Sequence, residues 1–323
     1  MDNRVDIKEN YIYSLDDKLL EILLRDHSSG KNIIWATDNY KSRGNGYQEY
    51  ENITLKSITG RNGLVIKPRV EKSQKEQSKR IKDKAEVFTP SWVCNAQNNL
   101  IDNAWFGREN IFNTEKDKTW CVNYDKIVFP DGKTWQDYVK ENRLEITCGE
   151  APYIVSRYDT VTGKWIEIND RIGLLDRKLR IINENTEHEE EWFEWTIKAY
   201  KATYGFEWQG DSLLIARENL LFTFIDYYVE RFGNYPIIER LEEIAKILSW
   251  NIFQMDGLKF VIPNSCKPVP KLQMSIFDNE EEREDCPGCK NGNNNKHRGT
   301  YVKVMNWATK KSIKFINLLK EKK

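Results

Sequence analysis

What the 323-residue sequence lacks narrows it first. No stretch approaches the roughly 18 consecutive apolar residues that cross a bilayer, so a membrane-spanning role is not expected. The amino-terminal MDNRVDIKENYIYSLDD has no apolar core of the kind a secretory signal needs, and a cytoplasmic setting is the expectation. No charge of either sign is in excess, because 50 Lys plus Arg balance 50 Asp plus Glu. Histidine is scarce, with three in all; His27 and His188 stand in polar stretches without an acid or nucleophile at informative spacing and read as solvent-exposed. The sequence has no Ser-centred nucleophile elbow, no Walker-type phosphate loop and no HExxH helix. Internal repeats are absent, and the acidic EEREDC lacks the strand pattern that would hold carboxylates around magnesium.

What is present suits an aromatic-rich globular protein, with 39% hydrophobic residues, 31% charged residues and 11 Trp, long enough for one large α/β domain with attachments or for two domains. In a cytosolic setting the six cysteines, Cys94, Cys121, Cys148, Cys266, Cys286 and Cys289, read as thiols or metal ligands rather than disulfides. Charge is uneven along the chain. Lys67 to Lys84 carries eight Lys or Arg against three acids, Lys290 to Lys323 ten against one, and the acidic run DNEEERED lies at 278–285. Each basic stretch reads as either a tracker of a phosphate backbone or an ordinary solvated face.

Periodicity gives the elements. Residues 11–26 read as one amphipathic helix with Leu15, Leu19, Leu20, Leu23 and Leu24 on its apolar side and Ser14 as cap. NIIWAT reads as a strand, DNYKSRGNGYQ as an irregular loop, 51–70 as a short β segment around ITGRNG and 71–84 as a mobile or helical connector. A helix is expected over 91–103, opened by Thr89, Pro90 and Ser91, and another over TWQDYVKENR. LEITC, TYGFEW and the start of WNIFQMDGL read as strands. Between and around them, 187–203, 210–232 and 236–249 read as helices, the second with Leu213, Ala216, Leu220 and Phe224 on one side. Such alternation implies a parallel, doubly wound sheet.

Three strand ends carry acids. EITCGEA (Glu145 to Ala151) ends in a glycine-containing turn. YGFEWQGDSLLIARENL places Glu207 between a strand and a helix, where a carboxylate can accept both hydroxyl protons of a ribose. In QMDGL, Asp256 ends a third strand, positioned for an adenine amino group. Acids at the carboxyl edge of a parallel sheet face the crevice where nucleotide-like ligands bind.

AEVFTPSWVCNAQNNLID resembles the first motif of N6-adenine DNA methyltransferases of restriction-modification systems, which ends in Phe-Thr-Pro (here Phe88, Thr89 and Pro90). EITCGEA is similar to that family's cofactor loop, Asp-Pro-x-x-Gly-x-Gly, with Glu145 for the Asp, Cys148 and Gly149 for the middle and Ala151 for the last glycine. YGFEWQGDSLLIARENL resembles the ribose-binding strand and helix, giving Glu207 that role with Trp208 against the adenine, and QMDGL the next motif with Asp256. The resemblance covers roughly residues 85–258. It implies a Rossmann-like fold, S-adenosylmethionine as cofactor, double-stranded DNA as partner, methyl transfer to adenine N6, and a restriction or specificity subunit as a further partner. On it rests a division into an amino-terminal region 1–84 that can join the sheet, a methyltransferase core 85–260 and a carboxyl-terminal extension 261–323.

The family's Asn or Asp, Pro-Pro, Tyr or Phe tetrapeptide, which holds the target amino group and stacks on the flipped base, does not occur. FVIPNS at 260–265 is the nearest candidate downstream and has no aromatic after Asn264. In permuted relatives the catalytic strand precedes the cofactor motifs, and NIIWATDNY then offers Asp38 or Asn39 as acceptor and Tyr40 as stacking ring; its alternative is an ordinary strand and surface turn. The other class of reading is a catalytically silent subunit that binds cofactor or DNA and works with a partner chain.

In the extension, Cys286 and Cys289 stand two residues apart, with Cys266 upstream and His297 downstream, a set that can close a tetrahedral zinc site. A reduced, metal-free knuckle is the competing reading.

Overall fold

The computed structural model describes residues 9–84, 86–270 and 283–319. Of the acidic run at 278–285 only Arg283 to Asp285 fall inside these spans, and the last four residues of the second basic stretch fall outside them.

The chain opens with two helices, α1 (Glu9–Leu15) and α2 (Asp17–Leu24), where the sequence suggested one. Asp16 causes the break: it leaves helical geometry and its carboxylate accepts the Lys18 N–H at 2.7 Å, whereas Ser14 turns back onto the Tyr11 carbonyl. A short hairpin follows, β1 (Arg25–Asp26) with β2 (Lys31–Asn32). The strand expected over NIIWAT continues only as a single bridge from Ile34 to Asn52, and Asp38–Arg43 is a 3-10 helix. The β segment expected over 51–70 is instead a helical turn, α3 (Leu55–Ile58), because Thr54 and Ser57 satisfy each other's backbone amides as a capping box. Next come α4 (Gln74–Lys84), which is helical and not a loose connector, α5 (Ser91–Phe106), the hairpin of β3 (Asn113–Lys116) with β4 (Thr119–Val122), and α6 (Trp135–Lys140).

The central unit runs β5 (Arg143–Ile146), α7 (Leu174–Asn185), α8 (Glu189–Lys201), β6 (Thr203–Glu207), α9 (Gly210–Phe232), α10 (Ile238–Asn251), β7 (Ile252–Gln254). Its three strands pair in parallel in the order β5-β6-β7, with Leu144 beside Tyr204 and Phe206 beside Phe253. Parallel neighbours need a crossover of a dozen or more residues, and each pair here is joined by two helices. The fold is therefore mixed α/β with a three-stranded parallel sheet, and all three carboxyl ends lie on one edge.

α9 departs from its expected one-sided pattern. Eighteen of its 23 residues are buried, so the helix is enclosed on all sides. Two residues explain how a polar-bearing helix tolerates this. Gly210 comes so close to Ile34 that an added Cβ would stand 2.0 Å from its carbonyl oxygen. The buried Arg217 spends its guanidinium on backbone carbonyls, bonding Ile252 at 2.7 Å, Ser249 at 3.1 Å, Arg25 at 3.0 Å and also Leu23, and so ties α9 to the start of β7 and the end of α2.

One apolar core runs from Ile12 and Leu19 through Ile154, Leu213 and Phe224 to Ile252, so residues before 84 share it with the sheet region. After β7 the chain forms β8 (Val269–Pro270), β9 (Arg283–Glu284), α11 (Pro287–Asn291) and the hairpin of β10 (Lys303–Asn306) with β11 (Lys311–Lys314). A second apolar cluster joins this extension to the sheet, with Phe206 and Phe253 packing against Val302 and Val304. Among the described residues no helix is long and apolar enough to cross a membrane.

Candidate functional site

At the carboxyl edge of the sheet lies a crevice of about 120 Å³, walled by Phe88 and Thr89 on one side, by Glu145, Cys148 and Gly149 on another and by Glu207 at the base. Six of the residues singled out by sequence thus converge on one place. Glu207 is buried, and its carboxylate accepts three backbone amides: Gly149 at 3.0 Å, Trp208 at 2.9 Å and Gln209 at 3.1 Å. Burial pushes its pKa up while the amides pull it back. Glu145, also buried, accepts Tyr153 at 3.4 Å and Ile154 at 3.2 Å, and desolvation drives its pKa well above the usual carboxylate range. Three of roughly four lone-pair positions of Glu207 are taken, leaving room for one further donor such as a hydroxyl.

The loop after β5 brings these acids together. Gly149 sits at φ 52°, with the Phe88 ring 3.9 Å from where a Cβ would be. Ala151, at the position where the resemblance places a glycine, also adopts a left-handed φ of 64°, a conformation that costs an L-residue about 1–2 kcal/mol. Its side chain is buried and does not wall the crevice. Cys148 packs against Gly205, and burial drives its thiol pKa well up, so it fills space as a neutral group. Pro90 caps α5, as the sequence suggested.

Trp208 and Asp256 lie away from the crevice. The Trp208 indole donates to the Ala36 carbonyl at 3.3 Å, and Asp256 caps its own turn by accepting the amides of Leu258 (3.0 Å) and Lys259 (3.1 Å). Lys84, Glu86, Glu150, Tyr153, Gln209 and Ser212 are also in the walls and were not singled out beforehand. Gln209 was within reach of sequence reasoning, standing two residues after an acid-ended strand; the others arrive through tertiary packing.

Asp38, Asn39 and Tyr40 stand directly behind the wall. Asp38 pairs with Lys84 at 2.9 Å, and Asn39 donates to Gln209 at 3.1 Å. Tyr40 is different, because its ring is buried against Trp35 with centroids 4.6 Å apart. Its hydroxyl donates to Asp211 at 2.8 Å and accepts from Arg80 at 3.1 Å. Arg80 bonds Asp211 at 2.6 Å and Glu86 at 3.0 Å, and the Lys72 ammonium lies 3.8 Å from Asp211. Burial alone would raise the Asp211 carboxyl, but Arg80 and Lys72 hold it well below the usual range. Tyr40 is therefore part of an internal ion-pair network and does not offer its face to a ligand.

In the extension, Cys266, Cys286, Cys289 and His297 come together with all four ligand atoms within 4.8 Å of one another, a cluster that can hold a metal ion. Their sulfurs stand 3.7, 3.7 and 3.6 Å from His297 Nδ1. The far nitrogen, Nε2, meets the Asn294 side-chain oxygen at 3.3 Å, which orients the ring as second partners of metal-bound imidazoles do. Although burial opposes it, N–H groups of Arg298 and Cys289 bring the Cys286 thiol down to about 6. Of the other histidines, His188 is exposed as expected. His27 is half-buried rather than fully exposed and stacks on Trp250 at 3.7 Å.

No protein-family model, no curated protein and no solved structure matches this chain.

Proposed function

We propose that the crevice at the sheet edge binds S-adenosylmethionine and that the chain serves Rossmann-like, restriction-modification-type methylation of adenine N6 in double-stranded DNA. The observation that carries this reading is the convergence of Phe88, Thr89, Glu145, Cys148, Gly149 and Glu207 on one crevice where parallel strands end. The donor set suits a nucleoside: Glu207 has one acceptor position left for a ribose hydroxyl, and the Gly149 backbone is open to close approach. The volume does not yet suit it, since 120 Å³ is well short of the roughly 300 Å³ or more of ordinary ligand pockets. The wall formed by Glu86 to Thr89, whose Val87 points into solvent, has to swing outward for the cofactor to enter.

Bound there, the cofactor supplies an electrophilic methyl on a positive sulfonium. Glu207 and the Gly149 loop orient it, and Phe88 excludes water from that end. Asp38 and Asn39, linked to the wall through Lys84 and Gln209, would accept amino-proton density. One observation favours a second reading. With Tyr40 locked against Asp211 and Arg80, the ring that follows Asp38 and Asn39 is not free to stack on a flipped base, as fits a cofactor-binding subunit that relies on a partner chain for the base pocket.

Calorimetry with S-adenosylmethionine tests the first part: binding by the wild type and its loss in Gly149→Val support the crevice, and absence of binding by the wild type removes it. Tritium transfer from labelled cofactor to unmethylated DNA separates enzyme from silent subunit. Full transfer by Asp38→Ala and Asn39→Ala overturns their role.

We further propose that the Cys3His cluster holds zinc. Zinc bonds of about 2.3 Å to sulfur and about 2.0–2.1 Å to nitrogen at tetrahedral angles set a sulfur-to-nitrogen edge of about 3.6 Å, and the three separations given above agree. One zinc per chain by metal analysis is the expected result.

A further inference from the structure

We propose that the segment from Cys286 to Leu319 is a metal-fastened, acid-free surface that grips the phosphate backbone of duplex DNA. This rests on the reading above that DNA is the partner, and it assigns the contact to one surface. Between Cys286 and Leu319 the sequence has seven Lys or Arg and no Asp or Glu, and all seven cations are exposed. Arg298 pairs with Glu284 at 2.6 Å, and Lys314 lies over the Tyr301 ring at 5.0 Å. Among the described residues the other five have no ion-pair partner.

The hairpin of β10 and β11 sharpens the point. Lys303 and Lys314 are direct cross-strand partners, so both ammonium groups leave the same face of a two-stranded ribbon. Like charges directly opposite each other destabilise a ribbon, and no acid of the segment lies between them. A row of phosphates is the chemistry that turns this repulsion into attraction.

The cations are also held on a rigid frame. Arg298 N–H donates to Cys286 Sγ at 3.1 Å, and His297 N–H donates to the Tyr301 hydroxyl at 3.0 Å, which links the metal cluster to the strand leading into the hairpin. Tyr301 bridges Val261, and Val302 and Val304 pack on Phe206, next to Glu207 of the crevice. The surface is thereby fixed relative to the crevice. Beside it lies a cavity of about 190 Å³ whose walls include Asn32, Asn52, Asn264 and Lys267 together with Ile34 and Ile262. The acid in that cavity wall, Asp26, is turned onto the amides of Ser28 and Ser29.

An acidic protein is the less favoured partner. Protein interfaces are built around a fully buried apolar or aromatic centre, whereas the exposed residues of this hairpin are Lys, Ser, Thr and Ala. Phosphate contacts need no such centre.

The test uses the full chain and the variant Lys303→Gln/Lys310→Gln/Lys311→Gln/Lys314→Gln, with binding to a fluorescent duplex of about 25 base pairs followed by anisotropy between about 50 and 200 mM salt. At the lower salt the variant is expected to bind at least tenfold more weakly. Its plot of log affinity against log salt is expected to be shallower by about 3–4, since each lost phosphate contact removes about 0.9. Unchanged metal content and cofactor calorimetry would show the variant intact. Wild-type affinity and slope in the variant overturn the assignment while leaving DNA as partner. No binding of duplex by the wild type overturns both, and the calorimetry reports on the crevice independently. Competition by polyglutamate as effective as by DNA of equal charge overturns the choice of nucleic acid.

Discussion

The two basic stretches of this chain look alike as sequence and have opposite fates in the fold. From Lys67 to Lys84 two of the eight cations turn inward while Lys75, Lys79, Lys82 and Lys84 stay exposed. Lys72 and Arg80 are almost fully buried, and with Tyr40, Glu86 and Asp211 they make a closed network between α4 and the start of α9. From Lys290 to Lys314 every cation turns outward, and no acid within the segment answers them. A count of Lys and Arg cannot distinguish the two. What separates them is the partner set: three acids are interspersed in the first stretch and further acids meet it from distant segments, whereas the second is folded by thiols, an imidazole and a small apolar cluster, and among the described residues only Arg298 of its cations has an ion-pair partner.

The largest expected effect breaks the first stretch. Arg80→Ala leaves Asp211 buried without its nearest cation, and loss of one partner of a buried pair costs about 3–5 kcal/mol. Urea unfolding should register it in full, whereas Lys310→Ala in the second stretch should stay within about 0.5 kcal/mol of wild type. Equal losses at the two positions would erase the distinction.

Acid separates the regions by pH. The Asp211 carboxylate is held below its ordinary value, so its contribution is present above pH 3.8 and is lost as pH falls further. His27, half-buried on Trp250 beside α10, has the opposite charge type. Burial, then Arg217 and Arg25, lower its pKa from 6.5 to about 4. The unfolded chain takes up this proton as pH falls through 6.5, and the folded chain resists until about 4, so stability declines across that window. Because the ring is partly open to solvent, the decline attributable to it is about 1–2 kcal/mol. His27→Gln should abolish the loss between these values and leave the one below 3.8. An unchanged pH profile would place the proton elsewhere.

How far the sequence could be read follows the same divide between local and distant causes. The three strands of the sheet and three of the four helices between them (α8, α9 and α10) were visible because strand runs and 3.6-residue periodicity are local properties, whereas α7 was passed over; the Cys-Pro-Gly-Cys pair that anchors the metal cluster was visible too. The crevice was partly visible, since acids at strand ends must meet wherever parallel strands share an edge. Asp16 splitting the first helix and the capping box at Thr54 were hidden by stronger apolar patterns on either side. Tyr40 shows the deeper limit. Its aromatic ring after Asp-Asn suggested a stacking face, but Arg80 and Asp211, 40 and 171 residues away, decide where its hydroxyl goes. Asp256 likewise falls two residues beyond its strand, which ends at Gln254, and is consumed by its own turn.

The smallest effect gives the sharpest comparison because its sign reverses. In the first stretch a removed cation destabilises the fold, whereas in the second Lys303→Glu should stabilise it. The substitution places a carboxylate directly opposite Lys314 and replaces a like-charged cross-strand pair by an attractive one, worth about 0.2–1 kcal/mol. Thermal unfolding of the metal-loaded protein should move upward, while affinity for duplex DNA falls and its salt dependence becomes shallower. Stability retained at the expense of binding is the signature of a surface whose charges serve a partner rather than the fold. If Lys303→Glu lowers stability, the ammonium is engaged by the protein itself, and the two stretches differ only in degree.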